Sequence, residues 1–162
     1  MITLIYRTIL VSGTAKAIRL ACLVEKSDHE IVNYCKQKKI LFHQGDLLNV
    51  ASRFIEIINL FKLDFFVRVC ADSPLLDGNL IKKAVQLINK NIDLVTNINP
   101  RTFPKGQSVE VINSKIFIEA YLKFKTNAHR EHVTKYFYEN ASEYKIKNIE
   151  NNVDLSNLSL AI

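Results

Sequence analysis

The chain has 162 residues, of which 48% are hydrophobic and 23% are charged, a composition typical of one soluble globular domain. This balance excludes a disordered chain, and apolar runs of only strand length, interrupted by charges, exclude a transmembrane span. The formal net charge is +6, but the basic residues are scattered over predicted helix faces and no alternation of aromatic and basic residues accompanies them. Nucleic acid is therefore not the expected partner, and the mild positive field suits a phosphate-bearing small molecule equally well.

The apolar residues switch along the chain between strand-like runs and helix-like stripes. In chain order we predict strand 18–24, helix 27–38, strand 40–42, helix 49–61, strand 65–70, helix 79–89, strand 93–96, strand 109–112, helix 114–124, helix 129–138, strand 144–149 and strand 158–162. Ser27, followed three residues later by Glu30, forms a capping box for the first helix. The apolar run 65–70, broken only by Arg68, is expected of an inner strand of a parallel sheet.

Strands and helices alternate with the spacing of βαβ units, which predicts one α/β domain around a mostly parallel sheet. Ligands bind such sheets at the carboxyl ends of the strands, which directs attention to the turn after residues 65–70. There Asp72 leaves a buried strand and is followed by Ser73 and Pro74. A carboxylate in this place suits Mg²⁺, but it can equally cap the turn through backbone amides, and the pattern favours neither role.

The three cysteines, Cys22, Cys35 and Cys70, are widely separated and include no Cys-x-x-Cys pair. Each lies in an apolar run, which predicts buried, reduced thiols. No long apolar segment with a cleavage site follows the N-terminus, so we expect a cytoplasmic protein.

Four further segments carry patterns that occur in the same order in one enzyme family. Residues 45–54 (GDLLNVASRF) are similar to G-x-x-x-x-V-l-x-R-f, and residues 67–77 (VRVCADSPLLD) to v-R-x-t-G-D-x-P-l-i-D. Residues 101–111 (RTFPKGQSVEV) are similar to R-t-y-P-x-G-x-x-v-E-v, and residues 130–134 (REHVT) match R-E-H-V-T. Together they resemble the cytidylyltransferase family, which includes the acylneuraminate cytidylyltransferases and the related spore-coat polysaccharide biosynthesis proteins, the latter branch more than the former.

The resemblance implies a Rossmann-like three-layer α/β/α sandwich of the nucleotide-diphospho-sugar transferase type. It implies a reaction in which a sugar hydroxyl attacks the α-phosphate of CTP and releases pyrophosphate, with Mg²⁺ as cofactor. The residue roles it implies are Asp72 as catalytic residue and metal ligand, Gly45 and Arg53 near the nucleotide, and Gly106, Glu110, Arg130 and His132 on the sugar side.

Ordinary structural roles stand beside these assignments. Arg53 can be a surface residue of its helix, Gly106 a turn residue, and Glu110 the partner of a nearby lysine. Arg130 can pair within the first turn of its helix. His129 and His132 have a spacing found in metal sites, but no further ligand cluster supports zinc. The site role is favoured for Asp72 and Arg130.

The sequence also departs from the family. The family opens with a glycine-containing basic loop, A-R-x-G-S-x-R-L-P-G-K. Residues 12–16 (SGTAK) are the only segment of that style here, either a remnant of the loop or, as we favour, a coincidence. The family continues past its last strand into an Asp-Thr-x-x-D segment, whereas this chain stops at Ile162. We therefore expect residues 1–162 to form a single cytidylyltransferase-like domain that lacks both segments.

Two function classes follow from this reading. One is a nucleotidyltransferase that transfers a cytidylyl group from CTP to a sugar for surface polysaccharide synthesis, impaired by truncation. The other is a non-catalytic module that acts through a homodimer or a partner protein, which can supply missing groups.

Overall fold

The computed structural model describes residues 19–23, by their backbone, and residues 29–70 and 72–162. The capping box predicted at Ser27, the fragment 12–16 and the side chain of Cys22 lie outside the described residues. The chain divides into two compact units. The sheet unit comprises Phe65–Asn113 and Ala141–Ile162, and the helical unit comprises Ala17–Asp64 and Ser114–Asn140. The single domain over residues 1–162 stays a prediction.

The described helices and strands follow the predicted order closely. They are β1 (Arg19–Leu23), α1 (His29–Gln37), β2 (Leu41–Gly45), α2 (Val50–Phe61), β3 (Phe65–Arg68), α3 (Gly78–Leu87), β4 (Leu94–Thr96), β5 (Glu110–Asn113), α4 (Ser114–Tyr121), α5 (Asn127–Glu131), α6 (Lys135–Glu139) and β6 (Ile146–Asn148). A 3₁₀ turn at Ala141–Glu143 precedes β6.

The sheet unit contains a four-stranded sheet in the order β3-β5-β4-β6. Its β3–β5 and β4–β5 pairings are antiparallel, and its β4–β6 pairing is parallel. The predicted mostly parallel sheet is therefore wrong for this unit: the sheet is mixed. The loop from β4 to β5 contains no helix, and a chain that returns without a crossover helix pairs antiparallel. The prediction that β3 is an inner parallel strand is also wrong. Among the described strands β3 lies at an edge of the sheet, and its pairing with β5 is antiparallel.

The core of the sheet unit lies between α3 and the sheet. Buried apolar residues of α3, of the strands and of the adjoining loops form it: Leu76, Leu80, Ile81, Ala84, Val95, Val109, Val111 and Ile149. The apolar spacing of α3 places one face of the helix toward this cluster. Asp77 begins the helix, because its side chain accepts the N–H of Asn79 at 2.8 Å.

The helical unit contains a parallel pair, β1 and β2, and the helices around an aromatic cluster. Phe117 is fully buried, stacks on Phe137 and meets Phe54 and Phe124 edge-on, all at ring-centroid distances of 6.4 Å. Such pairs stabilise by about 0.5–1.5 kcal/mol beyond the burial of their area. The cluster joins α2, α4 and α6 through one side chain.

The start of α2 follows the prediction of a helix from Asn49. The side chain of Asn49 accepts the N–H of Ser52 at 3.1 Å, as an N-cap residue does. The preceding Asp46 accepts the N–H groups of Leu48 and Asn49 at 2.7 and 2.8 Å, which forms the turn out of β2. The helix ends where Lys62 adopts a left-handed conformation with φ 49°.

Two predicted elements differ from the structure. The helix predicted over residues 129–138 is two short helices, α5 and α6, interrupted between Glu131 and Lys135. The strand predicted over residues 158–162 is only an isolated bridge between Ser159 and Lys105. The side chains of Leu158 and Ile162 are 50% and 86% exposed, so the apolar pattern there does not reflect burial.

None of the helices in the described part of the chain has the length and apolar character of a membrane-spanning segment.

Candidate functional site

The turn after β3 begins with Asp72, the predicted metal ligand. Asp72 is exposed, whereas the adjacent Ser73 is 2% exposed. The buried Ser73 hydroxyl donates to Asp72 Oδ1 at 2.8 Å, and the Ser73 N–H donates to the Cys70 carbonyl at 3.3 Å. The Asp72 carbonyl accepts the N–H of Ile162 at 3.0 Å. The hydrogen bond from the Ser73 hydroxyl therefore orients the Asp72 carboxylate, which remains exposed to solvent.

Asp72 itself is the candidate metal ligand in this turn. Among the described residues, no group of three or more His, Cys, Asp or Glu side chains could hold a metal ion. Asp72 nevertheless offers an exposed carboxylate whose only described side-chain partner is Ser73. Mg²⁺ is commonly held by one or two carboxylates together with substrate phosphates and waters. The exposed Asp72 carboxylate therefore fits a Mg²⁺ ion that arrives with a nucleotide.

Two motif residues, Arg68 and Glu110, form an ion pair across neighbouring strands. They are opposite each other in the β3–β5 register, and Arg68 Nη1 lies 2.6 Å from Glu110 Oε2. The Glu110 side chain is 1% exposed and the Arg68 side chain 23%. The described partner of Glu110 is thus Arg68, from another motif segment, instead of the lysine considered from the sequence. The role of Glu110 on the sugar side stays a prediction.

Several charged side chains act on the Cys70 thiol near the end of β3. Burial raises the pKa of the half-buried Cys70 thiol. Arg68 and Arg101 oppose this rise in pKa, whereas Asp72 and Glu110 add to it. The thiol is therefore within electrostatic reach of residues from two of the motif segments. Cys35, in the helical unit, is fully buried, and both thiols are free.

Gly106 lies where the loop before β5 meets the last residues of the chain. Its φ is +89°, and a Cβ there would lie 2.6 Å from the Ala161 nitrogen and 2.7 Å from the Leu160 carbonyl carbon. The Lys105 N–H donates to the Leu158 carbonyl at 2.9 Å, and the Leu160 N–H donates to the Lys105 carbonyl at 2.8 Å. Glycine is therefore required by both the backbone conformation and the close approach. A sugar contact of Gly106 stays a prediction.

Gly45 and Arg53, the predicted nucleotide residues, touch each other within the helical unit. A Cβ on Gly45 would lie 2.7 Å from Arg53 Cγ and 3.4 Å from Arg53 Cδ. Arg53 is 6% exposed, which excludes the surface position considered for it. The glycine at the end of β2 thus makes room for the arginine of α2, and their contact with a nucleotide stays a prediction.

The segment Arg130-Glu131-His132-Val133-Thr134 forms the end of α5 and the break before α6. Val133 and Thr134 are 0% and 4% exposed, whereas His132 is exposed. Arg130 is half-buried, and its Nη2 donates to the Phe124 carbonyl at 3.5 Å. The buried part of the segment is structural, and Arg130 and His132 remain the candidates for substrate contact.

His129 is used within the protein. The residue is 7% exposed, and its Nε2 lies 2.7 Å from Glu139 Oε2. Its Nδ1 accepts the N–H of Lys125 at 3.3 Å. Because both ring nitrogens have protein partners, His129 is not available as the zinc ligand considered with His132.

The predicted site residues divide between the two units. The sheet unit holds Asp72, Gly106 and Glu110, and the helical unit holds Gly45, Arg53, Arg130 and His132. Sequence reasoning missed two residues of the sheet unit. Arg68 was quoted only as part of a motif, and Gln107, whose side chain bonds to the Asp72 turn, was not considered. A polar residue beside the required Gly106 and before a buried strand was the available signal.

The fold is one that solved nucleotidyl-transfer enzymes share. A cytidylyltransferase from Leptospira borgpetersenii superimposes with a TM-score of 0.85 at 23% identity, covering 89% of this chain and 62% of that one. A CMP:2-keto-3-deoxy-manno-octonic acid synthetase complexed with CTP superimposes with a TM-score of 0.67 at 10% identity, covering 92% and 78%. At these identities the likeness shows the α/β fold alone.

The sequence comparisons then establish the family. The family model described as "Cytidylyltransferase" matches residues 1–159, and the chain belongs to this family. An uncharacterized protein of Methanocaldococcus jannaschii is 32% identical over 134 residues, which are 82% of this chain and 54% of that protein. The spore coat polysaccharide biosynthesis protein SpsF of Bacillus subtilis is 23% identical over 78% of this chain and 52% of its own. The chain thus spans about half the length of these curated relatives.

Proposed function

We propose that this chain carries part of a CTP-dependent sugar nucleotidyltransferase. In the proposed reaction a sugar hydroxyl oxygen forms a bond to the α-phosphorus of CTP. The bond from that phosphorus to the bridging oxygen breaks, and pyrophosphate leaves with the electron pair. The observation that carries the proposal is the exposed Asp72 carboxylate, fixed by the buried Ser73 hydroxyl, in a chain that belongs to the cytidylyltransferase family.

The proposed residue roles are those that the resemblance to the family implies. Asp72 would hold Mg²⁺, which when bound neutralises phosphate charge and stabilises the departing pyrophosphate. Arg53, beside Gly45, would face the nucleotide. The residues proposed for the sugar side are Gly106, Glu110, Arg130 and His132. Among them Glu110 would act through Arg68, because its own carboxylate is buried against that guanidinium.

Finer features of the proposal rest on the relatives. The family match and the CTP bound in one structural neighbour support CTP as the nucleotide. The similarity to SpsF supports a sugar destined for surface polysaccharide. We propose the Rossmann-like three-layer sandwich for the complete fold and the cytoplasm as the place of synthesis.

A non-catalytic module is the second candidate function. It is favoured by one observation: among the described residues, no group of three or more His, Cys, Asp or Glu side chains could hold a metal ion. In that case the chain acts with a second copy or a partner protein, and it binds nucleotide weakly or not at all.

Calorimetric titration of CTP, with and without Mg²⁺, decides between the two candidates. We expect the wild type to bind CTP more tightly than millimolar only when Mg²⁺ is present. Asp72→Asn should lose at least tenfold of that affinity, equivalent to about 1.4 kcal/mol, because the metal-binding charge is gone.

The matched control is Asp77→Asn, which removes the same charge five positions further along the turn. Asparagine caps a helix about as well as aspartate, so α3 and CTP binding should be unchanged. Unchanged Mg²⁺-dependent binding by Asp72→Asn would contradict the metal role. Absence of any CTP binding by the wild type would favour the non-catalytic module.

A further inference from the structure

We propose that Gln107 is a positioning residue that holds the turn carrying Asp72 in its metal-binding shape, an inference that rests on the function proposed above. Gln107 lies on the loop before β5, and the family motifs assign no role to its side-chain amide. Its effect on Mg²⁺ would be exerted through the backbone of the turn, since the described hydrogen bonds of its side chain go to Leu75 and Asp77.

The side chain of Gln107 makes two hydrogen bonds to the far end of the Asp72 turn. Its Nε2 donates to the Leu75 carbonyl at 2.7 Å, and its Oε1 accepts the N–H of Asp77 at 2.9 Å. A residue of a parallel neighbouring strand would bond to its partner strand in the same way. Gln107 is 7% exposed, so these bonds are made with little competition from water. The Gln107 side chain thus makes the two hydrogen bonds that a neighbouring parallel strand would make to this part of the turn.

The backbone of Gln107 is itself fixed before the side chain reaches the turn. Asn97, which follows β4, is fully buried. Its Nδ2 donates to the Gln107 carbonyl at 2.7 Å, and its Oδ1 accepts the N–H of Val109 at 2.9 Å. Because Asn97 already orders the backbone of this loop, the bonds of Gln107 to the turn cost rotamer entropy of its side chain but little further backbone entropy.

The bonds of Gln107 complete a set that fixes both ends of residues 72–77. At the near end, the Ser73 N–H and the Asp72 carbonyl bond to Cys70 and Ile162. In the middle, the Leu76 N–H donates to the Ser73 carbonyl at 3.2 Å. At the far end, Gln107 joins the turn to the loop before β5, while the Asp77 side chain bonds to the start of α3. Loss of this clamp would widen the range of positions of the Asp72 carboxylate.

The test compares Gln107→Met with the wild type. Methionine has a similar length and no amide, so the packing of the stem is kept while both hydrogen bonds are lost. We expect Mg²⁺-dependent CTP binding to weaken about tenfold, which corresponds to the loss of roughly 1.4 kcal/mol. CTP binding without Mg²⁺ should not change, and hydrogen exchange of the amides at residues 75–77 should become faster.

Two further variants separate positioning from general loss of structure. Gln107→Glu keeps the acceptor for the Asp77 N–H but loses the donor to Leu75, and it should lie between the wild type and Gln107→Met. Asn148→Leu is the matched control. Asn148 Oδ1 accepts the Asn99 N–H at 3.2 Å and its Nδ2 donates to the Pro100 carbonyl at 3.0 Å, so it is an amide clamp of the same unit with no bond to the Asp72 turn. Its loss should leave the Mg²⁺ dependence and the exchange at residues 75–77 unchanged.

The outcomes are distinct. Equal losses of Mg²⁺-dependent CTP affinity in Gln107→Met and in the control Asn148→Leu would overturn the positioning role, because general loss of structure would then explain both. Faster exchange with an unchanged Mg²⁺ dependence would also overturn it. If the wild type binds no CTP, the proposed function fails and the inference fails with it. Hydrogen exchange distinguishes failure of the proposed function from failure of the clamp. If Gln107 holds the turn, the Asp77 N–H exchanges faster in Gln107→Met whether or not the protein binds CTP.

Discussion

The ion pair between Arg68 and Glu110 should contribute strongly to the stability of the sheet unit. Removing one partner of a buried pair destabilises a protein by roughly 3–5 kcal/mol, because the other charge is left without compensation. The Arg68 side chain is 23% exposed, so water recovers part of its hydration and we expect about 2–3 kcal/mol for Glu110→Leu. Arg68→Met should be worse, at about 3–4 kcal/mol, because it leaves the 1% exposed carboxylate without this partner.

The double variant tests whether the two side chains stabilise the fold as a pair. We expect the double variant to be about 2 kcal/mol more stable than the sum of the single changes predicts, since neither charge is then left alone. Urea unfolding at pH 7, followed by circular dichroism, gives each free energy of unfolding from its midpoint and slope. The slopes must agree among variants for the cycle to be valid.

Lys135 and Glu139 provide the control for this cycle. They form an i, i+4 pair at 3.2 Å whose side chains are 41% and 45% exposed, and Lys135→Met should change the unfolding free energy by only about 0.5 kcal/mol. Single changes at Arg68 and Glu110 that add within about 0.5 kcal/mol would refute the coupling.

Two further predictions concern Gly106 and Glu139. Gly106→Ala should lower the unfolding free energy by about 2 kcal/mol or more, because φ +89° is strained for alanine and its Cβ would overlap the last residues of the chain. Thermal unfolding measures this, and an unchanged midpoint would contradict the close approach. Hydrogen bonds from His129 and then Lys135 lower the pKa of the Glu139 carboxyl below 4.5, so its contribution to stability is present above that pH and is lost as the pH falls through the lowered pKa. Wild type should therefore lose more stability between pH 7 and low pH than Glu139→Gln, and parallel pH profiles of the two proteins would count against the pairing.

The sequence predicted where elements lie better than how they pair. The cap at Asn49 and the helical spacing after it are local signals, and the structure has α2 at Val50–Phe61. The direction of β5 is not a local property. An apolar run has the same pattern in parallel and antiparallel sheets, so the mixed sheet, and with it the Arg68–Glu110 pair, could not be read from residues 109–112.

The break between α5 and α6 shows a second limit of sequence patterns. Apolar spacing continues across it, and so predicted one helix over residues 129–138. In a continuous helix His129 and Glu139 would be about 15 Å apart along the axis, yet their side chains meet at 2.7 Å. The contact requires the chain to turn at Val133 and Thr134, which are buried and β-branched. Tertiary packing, and not local propensity, therefore decides this break.

Burial separates the motif residues that build the fold from those left for chemistry. A glycine at position 45 leaves room for the Arg53 side chain, and one at position 106 leaves room for the backbone of the last residues of the chain. Glu110 forms a buried ion pair with Arg68. None of these needs a ligand to account for it.

Asp72 and His132 are different, since both are exposed and neither stabilises a core. The one described contribution of the Asp72 carboxylate to the fold is its bond from the buried Ser73 hydroxyl, which the side-chain oxygen of asparagine can also accept. Among the motif residues, these two are therefore where substitution should affect binding more than stability. Asp72 in particular is the position at which a loss of Mg²⁺-dependent binding without a loss of folding would identify the chemistry of the chain.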